Sequence, residues 1–412
     1  MNILFIHEVD WLNKVVFDIH SLSESISLLG HRVYAIDYES MWTRNNPFDF
    51  GGFATQEFNN VARACPGASV SLRRPGLIKI PGLSRLSAAF THYLEIQKTI
   101  KDRNIDAIML YSVPTNGLQT IHLAGKFNIP VVFRSIDILN QLTPYSALRP
   151  ITRSLEKKVY SRVDAIVTLT PKLSDYVIGL GAEEAKVKLL PMPVDTNLFR
   201  PSSDSAELRQ KWGLNGKDQV IVFIGTLFEF SGLDVLIRHF PEVVKQVPEA
   251  KLLVVGDGPQ RLKLEGIINE LGLQRQVIIT GFQSYQTMPQ YINLATICIN
   301  PFLITDATRD IFPGKIVQYL ACGKAVVATA LPGMRAVIPG EGQGVVYADS
   351  AEETAIKIMP LLKSAEYSQQ LGQAGLNYVS QRHSYSKVAG ELEGILQQVI
   401  KEKRDGAVPK PV

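Results

Sequence analysis

The residues best suited to chemistry lie in one stretch, INPFLITDATRDIFPGKIVQYLACGKAVVATALPG, from Ile299 to Gly333. An apolar strand ends at Pro301, a loop carries Asp306, Arg309 and Asp310, and Pro313 stands where helix starts favour proline. The helix opening at Gly314 therefore offers free backbone amides to an anion. Its dipole adds roughly 0.3 to 1 kcal/mol for a phosphate. A cation adds more: opposite charges about 4 Å apart interact by roughly 4 kcal/mol at an effective dielectric of 20. Arg309 and Lys315 are the cations in reach, so the stretch reads as a phosphate site. The bland reading is a solvated loop arginine and a surface lysine.

The elements that must position these groups alternate. NILFI reads as a buried strand and FDIHSLSESISLLG as a helix closed by Gly30. DAIMLYS, PVVFRSID and DAIVTLT read as further strands, separated by NGLQTIHLAGKFNI and RSLEKKVYSRV as helices. PMPVDTNLFRPSSDS, from Pro191, is rich in turn formers and suits an interdomain connection. The alternation then restarts with QVIVFIGTL, AKLLVVGDG, QVIITG, TICINPF and AVVATA as strands. Alternation of this kind implies α/β domains with parallel sheets. We place the domains at 1–195 and 196–380, a final amphipathic helix at 381–403 and a frayed tail at 404–412.

In parallel sheets, ligands bind beyond the carboxyl ends of the strands. Gly225, Gly256, Gly258 and Gly281 follow strands there, and small residues let a ligand approach the backbone. Each alone also suits an ordinary strand-to-helix turn. His7 ends the first strand; a buried, hydrogen-bonded histidine without a catalytic role is the simpler account of it.

Bulk properties exclude other classes. At 412 residues, 46% hydrophobic and 20% charged, the chain can build two packed cores and is unlike a disordered one. A net charge of +4 falls short of a nucleic-acid-binding signature. Cys65, Cys298 and Cys322 have neither zinc-site nor disulfide spacing, which fits a reducing cytoplasm. The opening apolar run is broken by His7, Glu8 and Asp10, so no signal peptide is expected, and no run reaches the length of a membrane span. The stretch SLRRPGLIKIPGLSRLSAAFTHYLEIQK sets Arg73, Arg74, Lys79 and Arg85 among apolar residues. It reads either as a peripheral contact with an anionic membrane surface or as a solvated helix and loop.

The ordered series LLPMPVDTNLF, FIGTLFEFSGLDVLI, LLVVGDGP, VIITGF and FPGKIVQYLACGKAVVAT resembles family-four glycosyltransferases of the GT-B fold. The resemblance spans essentially the whole chain and is strongest from Leu190 to Thr329. It implies two Rossmann-like domains facing across a cleft, with the acceptor on the first, the nucleotide sugar on the second, and the final helix crossing back. It implies transfer from a UDP- or GDP-sugar cosubstrate to a glycan or lipid-linked acceptor with retention of configuration, needing neither cofactor nor metal. Gly281 and Phe282 fall in the family's nucleobase loop. Its paired glutamates fall on Asp310, a partner for sugar hydroxyls, and Gln318, a partner for ribose. The usual arginine and lysine of the donor loop are replaced by Thr226 and Ser231, leaving Arg309 and Lys315 to supply the charge. The first loop lacks the usual glycines and carries Asn13 and Lys14. Ile136 and Asp137 stand where relatives often have His-Asp; Asp137 either orients the acceptor or transferred sugar or caps the next helix. A non-catalytic nucleotide-sugar-binding subunit and an epimerase remain as alternatives.

Overall fold

Short apolar runs bounded by turn formers become buried parallel strands, and the amphipathic runs between them become covering helices. The computed structural model describes residues 1–39, 49–80, 83–143, 146–203 and 205–407. Outside it lie Pro81 and Gly82 of the basic stretch, Asp204 of the connection and residues 408–412 of the expected tail. The chain divides between Pro191 and Met192 and again between Ser384 and Tyr385, so the final segment belongs to the first unit. Among the described residues, no helix is long and apolar enough to cross a membrane.

The first unit is built on β1 (Asn2–Ile6), β2 (Arg32–Ile36), β3 (Gln56–Val61), β4 (Val70–Arg74), β5 (Ala107–Leu110), β6 (Val131–Ser135), β7 (Ala165–Thr168) and β8 (Val187–Leu189). Their order is β3-β4-β2-β1-β5-β6-β7-β8, parallel throughout except for β3 against β4. The helix Tyr385–Ala407 continues past 403 and buries Val388, Leu392 and Leu396 against the face carrying Ile3, Phe5 and Met109. Each such side chain contributes roughly 1.5 to 3 kcal/mol.

The hairpin of β3 and β4 corrects the reading of the basic stretch, whose SLRR segment is strand. Arg73 is buried against Glu57 and Glu95, and Arg74 against Asp37 and, at 2.7 Å, Asp10. Lys79 pairs with Asp49 and, at 2.7 Å, with Glu39; Arg85 bonds Glu8 at 3.0 Å. Arg73, Arg74 and Lys79 neutralise the protein's own carboxylates within the fold, whereas the Arg85 side chain remains 63% exposed.

The second unit holds β9 (Gln219–Ile224), β10 (Ala250–Val255), β11 (Val277–Gly281), β12 (Ile297–Asn300), β13 (Ala325–Thr329) and β14 (Val345–Ala348). The order β11-β10-β9-β12-β13-β14 is wholly parallel and places the switch in strand order at β9 and β12. That switch point is where a doubly wound sheet opens a crevice for a ligand.

A buried polar contact of the first unit joins the helix Asp18–Leu28, β6 and the residue after β5. Asp18, in the first turn of helix Asp18–Leu28, receives Arg134 Nη2 at 2.8 Å and the Tyr111 hydroxyl at 2.9 Å. Arg134 also donates to the Leu190 carbonyl at 2.7 Å, fastening the end of the unit. Because both charges are fully buried, Arg134→Met should leave an uncompensated carboxylate and cost about 3 to 5 kcal/mol. Denaturant unfolding checks this; a loss under about 1 kcal/mol would contradict it.

Candidate active site

In the second unit, Lys315 opens the helix Lys315–Ala321 beside the switch point. Its Nζ lies 4.0 Å from the ring centre of Phe223, on β9, and 4.6 Å from that of Phe302, just past β12. Among the described residues no carboxylate pairs with it. Burial alone pushes this amine down to about 7. Cation–π contact supplies some compensation, about 0.5 to 2 kcal/mol per ring. One turn on, the Tyr319 hydroxyl accepts the Ile224 N–H at 2.7 Å and fixes the helix to the end of β9.

Gly225 is the wall beside the amine: a Cβ there would stand 2.7 Å from Lys315 Nζ, and its φ of +146 already favours glycine. Gly256 repeats the pattern on the next strand, where a Cβ would meet the Gly225 carbonyl at 2.0 Å, and Gly281 forms a bridge with Gly256. The loops after β9, β10 and β11 thus bring Gly225, Gly256 and Gly281 together with Lys315 within reach of Gly225. Phe282, 69% exposed, stands at the outer end of this row.

The other expected donor residues are less convergent. Arg309 is 54% exposed and lies 3.9 Å from the Asp310 carboxylate rather than beside Lys315. Asp310 is the backbone against which Gly333 packs, a Cβ there meeting its carbonyl at 2.2 Å. Thr226, Gly314 and Gln318 are half-buried, whereas Ser231 is 2% exposed and offers a ligand almost no surface. Two features escaped the sequence reading. Arg261, held by Asp257 and Glu265 at 2.8 Å each, comes within 3.2 Å of where a Gly281 Cβ would lie. Asn300, which ends β12, is fully buried with neither amide atom bonded. A polar residue closing the apolar run TICIN was the available signal.

The first unit gathers its own polar groups at the carboxyl ends of β1, β5 and β6. His7 sits 5.7 Å from Phe17 and 5.3 Å from Tyr111, ring centre to ring centre. Burial pushes it down to about 3, so it is neutral, and its Nδ1 is buried without a bond, unlike the hydrogen-bonded histidine expected. Asp10 organises the loop that follows it, accepting the Asn13 backbone and side chain at 3.0 and 2.9 Å, while Lys14 is exposed. Asp137 is half-buried and caps no helix, since the next described helical turn begins at Ser146; the capping account is thereby set aside. Burial, then the charge of Asp18, raises its carboxyl to about 6, against the pull of Lys14.

The sign of that shift is testable. A carboxyl raised from 3.8 to about 6 on folding weakens the protein as pH climbs between those values, and the penalty persists above them. Asp137→Asn should therefore stabilise the chain at neutral pH by on the order of 1 to 3 kcal/mol, fading toward pH 4. Unfolding curves across that range measure it; a variant less stable than the parent at pH 7 would refute it.

Both units match known families. The model for "Glycosyl transferases group 1" matches residues 204–378, and that for "Glycosyl transferase 4-like domain" matches residues 20–193. The GDP-mannose-dependent alpha-(1-6)-phosphatidylinositol monomannoside mannosyltransferase of Mycobacterium tuberculosis is 24% identical over 375 residues, 90% of this chain and 91% of its own. The D-inositol 3-phosphate glycosyltransferase of Segniliparus rotundus is 28% identical over 232 residues, 55% of this chain and 49% of its own. Sucrose-phosphate synthase from Thermosynechococcus elongatus superposes with TM-score 0.74 at 18% identity, covering 97% of this chain and 99% of its own. Anabaena HepE in complex with UDP-glucose gives 0.71 at 16% identity over 97% and 100%. With both units matched and its relatives named as glycosyltransferases, the chain belongs to the family-four glycosyltransferases of the GT-B fold.

Proposed function

We propose that the chain transfers a sugar from a UDP- or GDP-sugar to a glycan or lipid-linked acceptor, with retention of anomeric configuration and without a metal ion. One observation carries this reading: a lysine amine held against two aromatic rings at the sheet's switch point, beside glycine backbone and without a carboxylate partner among the described residues. A diphosphate is the complementary group. Two negatively charged phosphates beside Nζ would raise the amine's proton affinity and replace the metal that other transferases use to neutralise the leaving group. The relatives support the donor class: one is named as GDP-mannose-dependent, and Anabaena HepE binds UDP-glucose.

The remaining roles follow from the family resemblance and from position. Gly225 and Gly256 let the diphosphate approach main chain; Gly281 and Phe282 bound the base; Gln318 bonds the ribose. Asp310 accepts from sugar hydroxyls, and Arg309, exposed at the surface beside it, adds a second cation. Asp137, ionised above about pH 6, orients the incoming acceptor. A departing phosphate oxygen takes the acceptor's proton, so no dedicated base is required.

Lys315→Met removes the amine while keeping a long side chain against the rings. Calorimetric titration with UDP and GDP should show affinity falling at least about tenfold, or 1.4 kcal/mol, for whichever nucleotide the parent binds. Arg309→Ala should cost less. Unchanged affinity in Lys315→Met would overturn the assignment.

A further inference from the structure

The chain enters the second unit at Met192 and leaves it at Ser384, and one side chain of that unit, His383, stands beside both ends. His383 closes the helix Ala365–Arg382, its N–H bonding the Val379 carbonyl at 2.8 Å, and its own carbonyl accepts the Val194 N–H at 2.8 Å. Its Nδ1 lies 2.8 Å from the Met192 carbonyl. A carbonyl only accepts, so Nδ1 carries the proton and the neutral ring keeps a lone pair at Nε2. Burial favours that neutral form, pushing the imidazole down to about 4, and Nε2 is buried without a partner among the described residues.

The same ring meets the approach to the helix that carries Lys315. Phe312 stacks on it, ring centres 6.1 Å apart and planes 12° from parallel. Tyr378 adds a tilted contact at 5.4 Å, its hydroxyl tied to the Val337 carbonyl at 2.9 Å. Only Pro313 and Gly314 separate Phe312 from Lys315, and the fixed φ of proline stiffens that link. Gly314 is itself covered by Met192: a Cβ there would stand 3.2 Å from Met192 Cε. The imidazole therefore reaches the helix start twice, through the Phe312 ring and through the Met192 carbonyl.

We propose that His383 is a positioning residue for the nucleotide-sugar site, holding Phe312 by its ring and Met192 by its Nδ1–H so that the Lys315 amine keeps its seat over Phe223 and Phe302. Its part in transfer rests on the assignment of the diphosphate to Lys315; its hold on the seat does not. Histidine suits the task because it joins an aromatic face to a donor close to the backbone. Leucine would fill the space with neither, and phenylalanine would keep the face alone. A loosened helix start lets the amine leave the rings and regain water, which raises its proton affinity. His383 stays neutral and its neighbour Arg382 stays charged across the range in which that amine titrates.

Competitive acetylation of the full chain between about pH 6 and 10, read at Lys315 by peptide mass spectrometry, reports where the amine loses its proton. The parent should show a midpoint of about 7. His383→Leu should raise proton affinity at least about tenfold, moving the midpoint toward the ordinary value of about 10.4. His383→Phe, which keeps the stack, should move it less. Phe312→Leu removes the same stack from its other member and should also raise the midpoint, so the idea is tested even if one variant fails to fold. UDP and GDP titrated into the same proteins should bind His383→Leu at least about threefold more weakly than the parent. A histidine that only supports the fold would lower the melting temperature and leave the midpoint in place. A parent midpoint near that of an ordinary lysine, or a folded His383→Leu or Phe312→Leu with the parent's midpoint, would overturn the proposal. Absence of nucleotide binding in the parent, with the midpoints shifted as expected, would remove the donor assignment alone.

Discussion

The arrangement turns on a cation placed where a folded protein ordinarily keeps none. Removing an ammonium from water without a counter-ion is costly, and most buried charges are therefore paired. Lys315 is instead set over Phe223 and Phe302, with Gly225 leaving just enough room for its Nζ. The rings return part of the lost hydration, and the rest appears as a proton held only to about pH 7. The Tyr319 bond to Ile224 and the close approach of Gly256 to Gly225 fix the strand ends and helix around the amine.

The first unit obeys the opposite rule. Asp18, Arg134 and Tyr111 satisfy one another in a site with no exposure, and Arg73 and Arg74 are enclosed by four carboxylates. Such pairing holds elements in register. Asp137 is the exception, a half-buried carboxyl raised toward neutrality and without a bonded partner among the described residues. Lys315 and Asp137 are two unpaired groups that the transferase reading calls upon, whereas the unbonded His7 Nδ1 and Asn300 amide take no part in it.

Much of this was legible in the chain. NILFI, DAIMLYS and QVIVFIGTL announce buried parallel strands because nothing polar interrupts them, and glycines at strand ends mark where main chain must approach main chain. Lys315 was legible because Pro313 sets the helix start. The β3–β4 hairpin was not, since VSLRR reads as basic surface until the carboxylates of Asp10, Asp37, Glu57 and Glu95, distant in sequence, are brought to it. Phe223 and Phe302 look like ordinary core in their apolar runs; that their faces form a seat for an amine depends on how the helix docks. The burial of Ser231 and the outward turn of Arg309 are likewise decided by loop packing, which no local pattern encodes.

Proton counting tests the central claim most directly. If Lys315 is the diphosphate's partner and titrates near pH 7 when empty, nucleotide binding at pH 8 must draw a proton onto the amine, and affinity must decline as pH rises further. Calorimetry in buffers of different ionisation enthalpy should then show uptake approaching one proton in the parent and none in Lys315→Met. Binding with no proton uptake in the parent, or the same uptake in both proteins, would contradict the account.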